Sequence, residues 1–534
     1  MRRPIALGSL ALTALVVSGL AGLGAARPAS AQDRTLTYAQ SVAVTAMDTA
    51  GASIGTVYPA GYEGMFLVYD NLVRFNDKMQ IEPQLATEWS TSPDGLTWSF
   101  KLRRGVSFQD GSPVNADAVV FHIERQIDPK GNSANRPLWD PIASVKRIDD
   151  ATVAITTHKP YAALLATLAH GSGGVVSPEG VRKHGDTFKL HPVGAGPYMV
   201  EKWDVGSEVV LKRFDGYWGG RASFARIVLR HVPDPATRVA MLQSGQADVI
   251  SAVPVESVGQ FEGVARVEVM ARPALRTFGF GLNLNRKVFQ DVRVRRAFNH
   301  AVDRDALIKA IFRGYATPID SPLSPFTAGY APVGSYDFNP SKAQQLLAEA
   351  GWKPGPDGIL HKGDEALELT VLTPQGMLPK DVEVTQVFQG FLRKIGVKAT
   401  INKVEPAAFW DYLRVPPDKL AWDMVLFGFN PSNGDGGYHL TSLFASNPSR
   451  AERPKVWNFT WYESPKVDGL LAEADRTVDP TKRKPLLVEA AKVVWNDAPY
   501  VWLYAENVII AKKKELRGVE VSPVIFTLLR NATP

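Results

Sequence analysis

Apolar residues recur at Val384, Val387, Phe388, Phe391, Leu392 and Ile395, three and four positions apart, the spacing of one helix face. Gly396 interrupts the run, and "VKATINKV" then alternates apolar and polar residues as a half-buried strand does. A helix leading into a strand is the unit of an α/β fold. Upstream, "FNPSKAQQLLAEAGW" predicts a second helix: Asn339 is its cap, Pro340 its first residue, Ala343, Leu346, Leu347 and Ala350 its apolar face, and Gly351 its terminator. In "SPDGLTWSFKLRRGVSFQDG" an Asp-Gly turn precedes the alternating run Leu96, Trp98, Phe100, Leu102. An Arg-Arg-Gly turn and a second short strand follow, so the pattern predicts a hairpin there. "RTFGFGLNLN" (Arg276 to Asn285) and "YVWLYAENVII" (Tyr500 to Ile510) are long apolar strand runs. "AWDMVLF" is another, and it opens into the polar, glycine-rich "FGFNPSNGDGGYHL" (Phe427 to Leu440), a loop that must face something other than a core. We read that loop as ligand-facing. No short-period repeat or long low-complexity linker divides the chain, so any lobes are joined by strands rather than by a tether.

The 534 residues, 45% hydrophobic and 21% charged, are ordinary globular material and long enough for more than one core. Residues 1–31 differ. Arg2 and Arg3 precede the apolar run "IALGSLALTALVVSGLAGLGAA", and "ASA" ends at Ala31, the pattern of a signal peptide cleaved to leave Gln32 first. The formal net charge of +6 falls to +3 without Arg2, Arg3 and Arg27, too little for a nucleic-acid binder, and "AKKKELRG" reads as a solvated surface. Cysteine is absent. An exported chain without it has no disulfide, no thiol nucleophile and no lipidated cysteine, which fits a soluble periplasmic protein.

The candidate chemistry is thin. "GASIG" has the G-x-S-x-G form with Ser53 as nucleophile, and "HGSGG" at His170 has the form of an oxyanion loop. The segment before Ser53, however, is "AVTAMDTA" rather than a buried strand, and the two motifs stand in the wrong order. No two of the nine histidines have the i, i+4 spacing of a helical metal site, so no metal is implied. Neither a Walker loop nor a complete G-x-G-x-x-G is present, so no nucleotide or other cofactor is implied. Asp149 and Asp150 in "RIDDATVAI" read as a hairpin turn. The composition points to binding rather than catalysis.

"LVYDNLVRFNDKMQIEPQLATEWSTSPDGLTWSFKLRRGVSFQDGSPVNADAVVFHIER" resembles the amino-terminal signature of the extracellular solute-binding proteins, family 5, which serve peptide and nickel ABC importers. "HPVGAGPYMVEKW", "VVLKRFDGYWGG", "TRVAMLQSGQADVI", "FQDVRVRRAFNHAVDRDALIKAIFRGYATP", "FNPSKAQQLLAEAGW" and "LRKIGVKATI" are similar to its later blocks, in the same order. The resemblance runs from about Thr35 to about Val521 and is nearest the glutathione- and dipeptide-binding branch.

The resemblance implies an α/β, two-lobed periplasmic binding protein clamp of type II, in the large peptide-binding class, with mixed sheets and strand hinges. Lobe I is expected at 32–284 with a small subdomain, lobe II at 285–503, and the return to lobe I at 504–534. It implies a periplasmic monomer that captures peptides or peptide-like solutes, glutathione among the candidates, for ABC permease subunits and their ATPases. A nickel chelate is the alternative cargo, and a periplasmic hydrolase or a folding helper the alternative class. In peptide-binding relatives the glycine-rich loop carries an Asp for the peptide ammonium. Here that position is Ser432, so Asp435 is the expected substitute, beside Phe429 and Asn430. "SIGTVYPAGYEG" matches a cleft-lining segment and makes Thr56, Tyr58 and Tyr62 candidates. From its own chemistry, Arg136 is a candidate fork for a ligand carboxylate, with Trp139 flanking it.

Overall fold

The computed structural model describes residues 34–51, 59–131, 133, 135–449 and 457–534. The local rules hold where they were strongest. The helix Pro340–Glu349 starts on Asn339, whose side chain accepts from the Lys342 amide at 2.9 Å, and it buries Ala343 and Leu347. The helix Asp381–Lys394 buries Val384, Phe388, Phe391 and Leu392. Gly396, at φ +81°, then turns the chain into the strand Lys398–Val404. That strand pairs in parallel with Glu368–Pro374, on which the helix packs.

The predicted hairpin forms with a different partner. Thr97–Leu102, with Trp98, Phe100 and Leu102 buried, pairs across the Asp94-Gly95 turn with Ala86–Thr91 and on its other edge with Thr152–Thr157. Both edges are thus used, and the segment after Arg104-Gly105 makes only the isolated Ser107–Pro113 bridge. With Ile142–Asp149 these strands form a four-stranded sheet, whose own core contains Phe100, Ile123 and Trp139.

The main sheet has eleven strands and runs through both halves of the molecule. Its axis is a pair of long antiparallel strands, Val267–Leu282 and Tyr500–Lys513. Their ends lie in different cores. Phe278, Phe280, Val501 and Leu503 pack with Val384, Phe388 and Leu426, whereas Leu275 and Ile510 pack with Leu36, Tyr38 and Leu229. The register breaks between Pro273 and Thr277, where the strands pass from one core to the other. The molecule therefore has two lobes with two strands crossing between them. The expected limits 284/285 and 503/504 lie just past the first crossing strand and inside the second. Lys380 reaches Glu256 across the lobes at 2.6 Å, and the Ala162 amide donates to the Asp475 carbonyl at 3.1 Å, so the lobes touch each other away from the crossing strands. Among the described residues, no helix is long and apolar enough to cross a membrane.

Candidate functional site

The crossing strands leave a gap in the sheet. On one edge of Tyr500–Lys513, Ala316–Pro318 pairs with 504–506 and Val249–Ile250 with 511–512. The stretch 507–510 between them has no strand on that edge, and a cavity of about 690 Å³ lies against it. Both lobes wall the cavity: Ser41, Glu63 and Thr527 on one side, Phe312, Tyr315 and Met377 on the other. Its volume is within the range of pockets that enclose small organic ligands, ~300–1,000 Å³.

Its charges come from neighbouring strands. Arg276 stands opposite Glu506 in the register set by the Thr277–Ala505 pair, just past the irregularity that follows Pro273, with Arg276 Nη1 3.2 Å from Glu506 Oε1. Their side chains are 23% and 13% exposed. Burial raises the Glu506 carboxyl above its ordinary range, and the Arg276 charge pulls it back. Glu63 is differently placed. Its carboxylate accepts from the Tyr38 hydroxyl at 3.0 Å, the Thr527 amide at 2.6 Å and Gln40 Nε2 at 2.5 Å. Burial outweighs these donors and pushes Glu63 up to about 6.

That shift has a sign. A carboxyl raised in the folded state stabilises the protein below its unfolded value and loses the contribution as pH rises through the folded value. Between pH 4.5 and about 6, Glu63 should therefore remove about 2 kcal/mol of stability. Glu63→Gln should flatten that slope, as urea unfolding of both proteins at pH 4.5 and 7 will measure. Equal slopes would refute it.

The glycine-rich loop stands close to the N-terminal lobe. A Cβ at Gly434, which has φ +70°, would lie 2.7 Å from Met79 Cε. Ser432 faces a second cavity of about 370 Å³, with His170, Gln84 and Arg530 in its lining. His170 Nδ1 accepts from the Ser172 amide at 3.1 Å, which leaves the proton on Nε2, and burial depresses the ring to about 4.

Several expected site residues are committed elsewhere. Asp435 caps the helix Gly436–Phe444 through the Tyr438 amide at 2.8 Å and takes the Arg483 fork at 2.5 and 2.9 Å, with the pair 3% and 9% exposed. It is not available to a ligand ammonium. Phe429 packs against Tyr438, His439 and Trp457, and Asn430 is half-buried at the start of the loop. Tyr62 is fully buried, donating to Asn135 Oδ1 at 2.9 Å with its ring edge-on to His170. Trp139 is also fully buried and donates to Ser172 Oγ at 3.0 Å. Arg136 is held by Asp140 and the Asp128 carbonyl at the surface. None of Tyr62, Arg136, Trp139, Phe429, Asn430 and Asp435 lines either cavity; Ser432 alone among the described candidates does. Thr56 and Tyr58, like Ser53, lie outside the described residues. The sequence reading missed Arg276 and Glu506. Their signal was a charge standing in an apolar strand run, which a buried strand tolerates only with a partner.

The model for bacterial extracellular solute-binding proteins, family 5, middle region, matches residues 80–451. The chain is 32% identical over 457 residues to the glutathione-binding protein GsiB of Escherichia coli O1:K1, covering 85% of this chain and 86% of that one. Among solved structures, HbpA2 from Haemophilus parasuis superposes with a TM-score of 0.82 at 27% identity, over 94% of this chain and 99% of that chain. The periplasmic binding protein DppA from Helicobacter pylori, in complex with the peptide STSA, gives 0.71 at 26% identity, over 93% and 98%.

Proposed function

This chain belongs to family 5 of the bacterial extracellular solute-binding proteins, the binding components of ABC importers, and on that premise we propose that it captures a peptide or peptide-like solute between its lobes. Glutathione is the leading candidate, because the GsiB relative carries that name. The observation that supports the reading most is the 690 Å³ cavity walled by both lobes at the edge of a crossing strand. A solute there touches both lobes at once, so it stabilises the closed clamp over the open one by its differential contacts. The lobes turn about the break between Pro273 and Thr277, where the strand register is already irregular. The signal peptide is removed after Ala31, the mature protein works as a periplasmic monomer, and the loaded clamp delivers its cargo to a permease pair and its ATPases.

Mass spectrometry of the solute that co-purifies, followed by calorimetry with glutathione, dialanine, a longer peptide and nickel–histidine, tests this reading. Glutathione or a peptide should bind, and small-angle scattering should show compaction on binding. Binding of nickel–histidine alone would move the cargo to a metal chelate. No binding and no compaction with any of them would refute solute capture.

A further inference from the structure

We propose that Arg276 and Glu506 read the charged ends of the solute, Arg276 taking a carboxylate and Glu506 an ammonium group; the assignment rests on the solute-capture reading above. Both residues sit on the crossing strands, so their spacing is set by the sheet and not by a mobile loop. Their mutual contact is slight for two charges so enclosed. It consists of one ion-pair approach at 3.2 Å, and Glu506 Oε1 accepts no hydrogen bond. A guanidinium has five donors and a carboxylate about four acceptor sites. Much of that capacity is therefore unused, whereas Arg483 meets Asp435 with both prongs of its fork.

The other charges around the cavity are already occupied. Glu63 accepts three donors, and Lys380 is held by Glu256 across the lobes. Burial disfavours an ionised Glu506, so a second cation beside it is favourable. A zwitterionic solute supplies that cation and an anion for Arg276 together. Each side chain then exchanges part of its internal partner for a ligand group of the same charge. This also accounts for Ser432, since the ammonium needs no acid in the glycine-rich loop.

The test uses glutathione and dialanine, each free, with the amine acetylated, and with the carboxylates amidated, titrated into mature wild type, Arg276→Gln, Glu506→Gln and the double variant. Acetylation and amidation should each weaken binding to wild type by at least about 30-fold, as expected for losing one side of a buried charge pair. Glu506→Gln should bind the free ligand about 30-fold more weakly and suffer no further loss on acetylation. Arg276→Gln should behave in the same way toward amidation. The double variant buries neither charge, so it should melt close to wild type and be indifferent to both blocks. A structural role would weaken all forms of the ligand equally in each variant. Single variants that keep the wild-type penalties would overturn the assignment while leaving solute capture standing. A wild type that binds none of the probes overturns both.

Discussion

Asp435→Asn is expected to destabilise the protein by about 3–5 kcal/mol, the cost of removing one partner from a buried ion pair and leaving the other uncompensated. The substitution is selective. Asn caps a helix as well as Asp does, so the bond from the Tyr438 amide is retained, and only the charge opposite Arg483 is lost. Arg483 would remain 9% exposed with no anion in its fork and only the more distant Asp475 to offset its charge. The effect depends on pH in a defined direction. Burial raises the Asp435 carboxyl, but the Arg483 charge and hydrogen bonds more than offset that and hold it below the ordinary range. A depressed carboxyl contributes stability above its unfolded value, ~4, and loses it as pH falls. The gap between wild type and variant should therefore be full at pH 7 and close as the solution is made acid. Urea unfolding at pH 7, 5 and 3 would measure it. Weaker glutathione binding with unchanged stability would instead restore Asp435 to the ligand site.

Arg530→Ala is expected to cost a similar ~3–5 kcal/mol, through a different part of the fold. Arg530 fastens the C-terminal segment to the N-terminal lobe. It donates to the carbonyls of Phe66 and Tyr69 at 2.8 and 2.7 Å and to the Tyr217 hydroxyl at 2.8 Å, and it pairs with Asp70. Asp70 is fully buried and would keep only Gln84 and Trp218 as donors, each at 2.6 Å. The strands Glu520–Ser522 and Phe526–Leu528 stand in the same segment, and their residues wall both cavities. The variant should therefore lose ligand affinity together with stability, in contrast to Asp435→Asn. Hydrogen exchange would show the segment opening at 520–531 before the rest. Unfolding at the wild-type denaturant concentration would contradict the prediction.

The sequence by itself determined the helices at 340–349 and 381–394, the apolar runs that became the crossing strands, and the family of the chain. Each of these is written in residues close together: a cap, a period, a terminating glycine or an ordered set of blocks. Only the tertiary structure decided the partners. Asp435 looked free in a loop of Asn, Ser and Gly because Arg483 lies 48 positions away, on another helix. Thr97–Leu102 was paired with the wrong neighbour because its second edge belongs to Thr152–Thr157, far along the chain. Arg276 and Glu506 are more than two hundred residues apart and meet only because the two crossing strands pair, which sets them opposite each other beside Thr277 and Ala505. A hydrophobic period is a local property, set by the geometry of one element. The partner of a buried charge is settled by which elements pack together, and that appears only when the chain is folded.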